Sequence, residues 1–213
     1  MRHVDWSLYL VTDRGLSRGR SHASVVEAAL RGGATVVQYR EKEASTKRMI
    51  EEAAELAAIC RRFGALFIVN DRLDVALAVD ADGLHVGQDD MPARLARSLL
   101  GSGKILGVSA GDMDEARRAV DEGADYIGAS PVFPTPTKTD AGPALGLSGL
   151  AEMASASGLP VVAIGGINTT NAREIIAAGA AGIAVVSAIV AADNVESSAR
   201  SLRLIVEATR RLG

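Results

Sequence analysis

The chain has 213 residues, 48% of them hydrophobic and 23% charged, with 23 lysines and arginines against 26 acidic residues and a net charge of −3. Such figures describe an ordinary folded globule and exclude a disordered chain, which would hold fewer apolar residues and more net charge. They also leave no basic excess for a nucleic-acid backbone, so an acidic ligand would have to be small and held by a local cationic cluster.

In chain order, short apolar runs alternate with longer amphipathic stretches. The runs are Leu8–Thr12, Thr35–Arg40, Leu66–Asn70, Gly83–Val86, Ile105–Ser109, Tyr126–Ala129, Val161–Ile164 and Gly182–Val186. They are apolar throughout rather than alternating, which predicts strands buried on both faces, as in a parallel sheet. Helices are predicted between them. Three open on capping-box spacings: Ser24-x-x-Glu27, Asp112-x-x-Glu115 and Asn171-x-x-Glu174. Gly-Ala pairs at 33–34, 64–65, 123–124 and 179–180 stand between a helix and the next strand, where glycine supplies the positive φ that ends a helix. The repeat is strand, loop, helix, Gly-Ala, strand. Eight units at roughly 27 residues each predict a compact (β/α)8 TIM barrel, one domain over residues 1–213, in preference to an open doubly wound sheet.

One uncharged stretch, Ile175–Ala192, approaches membrane-spanning length. It is mostly Ala and Gly, and Gly179 and Gly182 divide it as a helix end and a buried strand would be divided, so no membrane span is expected. The N-terminal Met1–Trp6 carries charge and no long apolar run, unlike a signal peptide. Cys60 is the one cysteine and fits a helix core. Without a disulfide to form, a cytoplasmic protein is expected.

In a barrel the chemistry sits at the carboxyl ends of the strands. The second strand ends Gln38-Tyr39-Arg40-Glu41-Lys42, and alternation puts Gln38, Arg40 and Lys42 on one side. A guanidinium fork and an ammonium there suit an anion; a solvated loop with Glu41 and Glu43 is the alternative. The third strand ends Asn70-Asp71, and the fourth runs through His85 into Asp89-Asp90. Neighbouring strands bring Asp71 beside one Asp of the 89–90 pair, an arrangement suited to Mg²⁺, which takes its remaining ligands from water and substrate phosphates. Both could instead cap helices. His85 has no second histidine near it for a zinc site and reads as a hydrogen-bonded core residue. Ser109, ending the fifth strand, suits a phosphate, a ring nitrogen or a helix cap.

The segment after the sixth strand, Gly128 to Pro143, holds four of the six prolines with Thr135, Thr137, Lys138 and Thr139. A long Pro/Thr loop in a tight barrel predicts a lid or binding loop. The seventh and eighth strands end at Gly165-Gly166 and Val186-Ser187, the position of the phosphate site in many barrels. Gly-Gly there would let backbone approach a ligand closely, and Ser187 could open a short extra helix.

With these residues in place, the chain resembles the thiamine-phosphate synthase family. The matching stretches are Tyr9–Asp13, Gln38-x-Arg40-x-Lys42, Asn70-Asp71, His85–Pro92, Gly107–Ser109, Tyr126–Asp140, Ala163–Ile167 and Ala184–Ser187, with Thr135-x-Thr137-Lys138 the most specific. Tyr39 departs from an expected aliphatic residue, on the side opposite the cationic row. The resemblance implies a transferase joining 4-amino-5-hydroxymethyl-2-methylpyrimidine diphosphate to 4-methyl-5-(2-hydroxyethyl)thiazole phosphate. It implies that Gln38, Arg40, Lys42, Asn70 and Lys138 hold the diphosphate substrate, with Ser109 near its ring. It implies Asp71 and Asp90 as ligands of a Mg²⁺ cofactor. Thr135, Thr137, Gly166 with its neighbour Gly165, Val186 and Ser187 would take the thiazole phosphate. Arg40, Lys42, Lys138 and Ser109 form the implied catalytic set. The implied partners are these two small phosphorylated molecules, with neither nucleic acid nor membrane; the Ala-rich helices could support a homodimer. Runners-up are a thiazole tautomerase-like barrel, a phosphosugar isomerase or epimerase, and a non-catalytic phosphate-ligand sensor. An isomerase would need an acid/base pair poised near neutrality, and His85 with Asp71 is a poor one.

Overall fold

The computed structural model describes residues 4–135 and 142–212. Eight parallel strands close on themselves: β1 (Leu8–Val11), β2 (Val36–Tyr39), β3 (Leu66–Asn70), β4 (Gly83–Val86), β5 (Ile105–Ala110), β6 (Tyr126–Ala129), β7 (Val161–Ile164) and β8 (Gly182–Val185). Closure is explicit in the register: Leu10 pairs with Val37 on one side and Val185 on the other. An open sheet would leave two edge strands with one neighbour each; every strand here has two, so the doubly wound alternative is removed.

Helices α1 (His22–Arg31), α2 (Thr46–Phe63), α3 (Leu73–Ala78), α4 (Ala93–Leu100), α5 (Met113–Asp121), α6 (Gly146–Ala156) and α7 (Ala172–Ala177) each return the chain to the next strand. The short α8 (Ser187–Val190) precedes the closing α9 (Val195–Arg210). Each Gly-Ala exit behaves alike: the alanine N–H reaches back five residues, as Ala65 does to Cys60 and Ala124 to Ala119, and the glycine before it has positive φ. The caps are less uniform. Asp112 caps α5 by accepting from the Glu115 N–H at 2.8 Å. Helix α1, however, begins earlier than Ser24-x-x-Glu27 predicts: Ser21 is its cap and accepts from the Ser24 N–H. Asn171 precedes α7 without capping it.

Alternate strand residues face two cores, which is why the runs are apolar on both faces. Leu8, Leu10, Val37, Tyr39, Phe67 and Val69 pack outward under the helices. Trp6, Tyr9, Val11, Val36, Ile68, Tyr126, Val162 and Ala184 fill the barrel. Trp6 closes the amino end, its ring 4.4 Å from that of Tyr126. Strand glycines here make space. A Cβ on Gly182 would lie 1.7 Å from the Trp6 carbonyl oxygen, and one on Gly107 2.1 Å from the Tyr126 ring. Cys60 is buried in α2. The Ile175–Ala192 stretch passes from α7 through β8 into α8, and among the described residues no helix is long and apolar enough to cross a membrane.

Candidate active site

A cavity of about 240 Å³ opens at the carboxyl ends of the strands. Its wall from β2 carries Gln38, Arg40 and Lys42, and the first strand's loop positions them. The Thr12 N–H donates to the Gln38 carbonyl at 2.9 Å, and the Arg40 N–H donates to Thr12 Oγ1 at 2.9 Å. The Arg40 guanidinium lies 3.6 Å from Asp13. Tyr39 points the other way, fully buried, donating to Glu52 Oε2 at 2.9 Å.

On the adjoining wall, Lys42 Nζ is 3.1 Å from Asp71 Oδ2. Asp71 has φ 59, left-handed backbone that a non-glycine residue adopts at a cost. The Asp71 N–H is held by the His85 carbonyl at 2.8 Å. Asp90 anchors one oxygen on the Gly87 N–H at 2.8 Å and lies against the Asp71 carboxyl. Burial and then this second carboxylate push the Asp71 pKa up to about 6, against the pull of Lys42. Neither aspartate caps a helix, since α3 starts behind Arg72 and α4 behind Pro92. Asp89 is exposed and lines the same cavity.

Beneath the cavity runs a buried polar chain. Gln38 Nε2 donates to the Tyr9 phenol at 2.9 Å, the Tyr9 and Tyr126 hydroxyls are 2.8 Å apart, and the Tyr126 hydroxyl is 2.8 Å from His85 Nδ1. His85 Nε2 is in turn 2.9 Å from Ser109 Oγ. Burial pushes both phenols up, so each keeps its proton. Ser109 therefore belongs to this chain rather than to a helix cap, and the Gln88 amide holds its carbonyl at 2.6 Å.

The opposite wall is built from the β6, β7 and β8 loops, with Thr135, Gly165, Gly166, Val186 and Ser187 lining the cavity. The Val132 and Phe133 N–H groups bond to the Ile164 and Gly165 carbonyls. Gly165 and Gly166 have φ 105 and 66, and Cβ atoms there would lie 2.8 Å from Pro131 and Phe133 respectively. The Cβ side of this Gly-Gly turn is filled by the β6 loop, while both glycines line the cavity. Asn171 ties this turn from below, donating to the Gly166 carbonyl and accepting from the Asn168 N–H, both at 2.9 Å. Ser187 opens α8. Thr137 and Lys138 lie outside the described residues.

A second group, His22, Glu41 and Glu52, brings its ligand atoms within 4.8 Å of one another. Cations already fill it. Arg14 reaches Glu41 at 2.7 Å and both oxygens of Glu52 at 2.8 and 2.7 Å, and Arg48 adds a 2.9 Å bond. Burial alone would raise the Glu52 pKa; the bonds from Arg14 and Tyr39 outweigh it and hold it low. Burial and Arg14 push the His22 pKa down. A metal ion would have to displace Arg14, so this group fits one poorly.

The family model described as thiamine monophosphate synthase matches residues 8–189. The chain belongs to the thiamine monophosphate synthase family. It is 62% identical to the thiamine-phosphate synthase of Chloroflexus aurantiacus, over 97% of this chain and 95% of that protein. To the synthase of Archaeoglobus fulgidus it is 53% identical, over 96% and 94%. The solved thiamine phosphate pyrophosphorylase from Pyrococcus furiosus is 44% identical and superposes with a TM-score of 0.89, covering 96% of this chain and 97% of that one. A 3-hexulose-6-phosphate synthase at 16% identity and TM-score 0.68 shares the fold alone.

Within this thiamine monophosphate synthase barrel, Gln38, Arg40, Lys42, Asn70, Asp71, Asp90, Ser109, Thr135, Gly165, Gly166, Val186 and Ser187 all line one cavity. Ser130, Gln88, Tyr9 and Tyr126 line it too without having been singled out from the sequence. The tyrosines carried a usable signal, because a phenol inside an apolar strand needs a polar partner. His85 is both the hydrogen-bonded core residue expected and a wall of the cavity.

Proposed function

We propose that this protein is a thiamine-phosphate synthase, condensing 4-amino-5-hydroxymethyl-2-methylpyrimidine diphosphate with 4-methyl-5-(2-hydroxyethyl)thiazole phosphate to give thiamine phosphate and pyrophosphate. Full-length kinship with proteins of that name carries this reading. The cavity supports it, with cations and paired carboxylates on one wall and glycine-rich loops on the other.

In this scheme Arg40, Lys42 and Lys138 bind the diphosphate and take up the charge that develops as it leaves. The C–O bond at the pyrimidine methylene breaks with its electron pair going to pyrophosphate. The aminopyrimidine ring disperses the cation left behind. The thiazole nitrogen then gives its lone pair to that carbon and forms the new C–N bond. Thr135, Thr137, Gly166, Val186 and Ser187 hold the thiazole phosphate so that the nitrogen faces the methylene; such positioning is worth ~7–11 kcal/mol. No protein nucleophile is required. Asp71 and Asp90 suit a divalent cation, since the Asp90 carboxylate raises the proton affinity of Asp71 and a 2+ ion relieves that repulsion. Mg²⁺ bound there would add positive charge against the leaving diphosphate.

The test is a product assay with both substrates and Mg²⁺. Thiamine phosphate and pyrophosphate should appear in equal amounts. A folded protein that binds both substrates and forms neither product would overturn the proposal in favour of a sensor.

A further inference from the structure

The polar chain under the cavity has a direction. Gln38 gives an amide hydrogen to Tyr9, so the Tyr9 hydroxyl spends its own hydrogen on Tyr126. Tyr126, having accepted, donates to His85 Nδ1. The imidazole then carries its hydrogen on Nε2 and donates to Ser109 Oγ. At one end the Gln38 carbonyl oxygen is left as an acceptor; at the other the Ser109 hydroxyl is left as a donor. Both residues line the cavity. The sequence clears space for the links: a Cβ on Gly107 would strike the Tyr126 ring at 2.1 Å, and one on Gly128 would press on His85 at 3.0 Å. The chain is 92% or more buried at Gln38, Tyr9, Tyr126 and His85, so leaving any member unsatisfied is costly.

We infer that Gln38–Tyr9–Tyr126–His85–Ser109 is a specificity device, in which Tyr9, Tyr126 and His85 act as positioning residues that lock Gln38 as acceptor and Ser109 as donor. The inference rests on the function proposed above and deepens it. The ring selected is one with an exocyclic amine hydrogen for Gln38 and an unprotonated ring nitrogen for Ser109, as a 4-aminopyrimidine has. A 4-oxopyrimidine sets a carbonyl oxygen against the Gln38 acceptor. Turning the Gln38 amide over would relieve that clash, but every O–H in the chain would then reverse, His85 would change tautomer and Ser109 would become an acceptor. The two ends cannot be adjusted separately. Sites that hydrogen-bond a substrate discriminate far more strongly than apolar pockets do.

The experiment measures Kd by calorimetry for the 4-amino and 4-oxo pyrimidine diphosphates, with Mg²⁺ and without thiazole phosphate. The wild-type protein should prefer the amino ring by ~100-fold or more. Tyr126→Phe cuts the chain while keeping the ring that packs on Trp6. It should reduce the preference to ~10-fold or less, partly through tighter binding of the oxo ring, a gain that simple loss of packing does not produce. Tyr9→Phe frees Gln38 directly and should do the same, covering the case in which Tyr126→Phe does not fold. A folded variant that keeps the wild-type ratio overturns the inference. So does a wild-type protein that forms product yet binds both rings equally. Failure of the wild-type protein to bind the amino ring at all would instead overturn the functional proposal beneath it.

Discussion

Arg14 binds Glu52 through both carboxylate oxygens and Glu41 through its Nε, so one guanidinium joins the β1 loop to helix α2 and to the loop carrying Arg40 and Lys42. Glu41 in turn accepts from the Lys42 and Glu43 N–H groups at 2.9 Å. The cationic wall thus stands on a half-buried ion cluster rather than on the strand alone. Removing Arg14 takes the bidentate partner from Glu52, which is 8% exposed, and leaves it Tyr39 and Arg48. Breaking a buried pair costs up to ~3–5 kcal/mol; with the Arg14 side chain 48% exposed, about 2 kcal/mol is expected for Arg14→Ala. Thermal denaturation should show a Tm drop of roughly 4–8 °C. Arg14→Lys should recover only part of it, lacking the fork.

The Asp71–Asp90 pair predicts a pH-dependent stability with a definite sign. In the fold Asp71 loses its proton near pH 6; in the unfolded chain it does so near the ordinary 3.8. Below about pH 4 both states are protonated and the pair costs nothing. As pH rises through about 6 the folded state takes on the full penalty, so stability is lost. Discounted for partial exposure, that penalty is about 1 kcal/mol. Metal-free Asp71→Asn should therefore melt roughly 2–4 °C higher than wild type at pH 7.5 and equally at pH 4. Mg²⁺ should raise the wild-type Tm and leave the variant unmoved. A less stable variant at pH 7.5 would mean that the Lys42 pair outweighs the repulsion.

Metal removal and Lys138 probe the leaving group. EDTA should abolish product formation, with recovery on adding Mg²⁺; turnover without divalent ions would dismiss Asp71 and Asp90 as ligands. Lys138→Ala should lower kcat by ~100-fold or more while the Tm stays within about 1 °C.

Gly165→Ala tests the opposite wall. Its φ of 105 is unfavourable for alanine, and its Cβ would sit 2.8–2.9 Å from Pro131. A cost of about 2 kcal/mol is expected, with a KM rise of ~10-fold or more for the thiazole phosphate and little change for the pyrimidine diphosphate. Asn171→Ala, which frees the Gly166 carbonyl and the Asn168 N–H, should show the same selective KM effect at about 1 kcal/mol of stability.

The strands were legible because a doubly buried strand cannot disguise its composition. Each of the eight apolar runs is a strand, and boundaries moved by a residue or two where runs continue into loops, as at Arg40. Caps were less legible, because Ser21 and Ser24 both suit the start of α1 and only backbone direction separates them. Around the cavity, residues at strand ends could be placed by alternation, which brought Gln38, Arg40 and Lys42 to one wall. The Arg14 cluster could not be read that way, since its members come from two loops and the buried face of α2. Nor could Asn171, whose spacing to Glu174 imitates a cap while its amide holds the Gly166 turn.

That turn and the foot of the β6 loop occupy each other's space: Pro131 and Phe133 sit where side chains on Gly165 and Gly166 would be. The two segments are more than thirty residues apart in sequence yet form a single interlocked part. Anyone re-engineering this barrel for another acceptor must therefore transplant them together. A β6 loop grafted without its matching β7 turn would arrive with nowhere to sit.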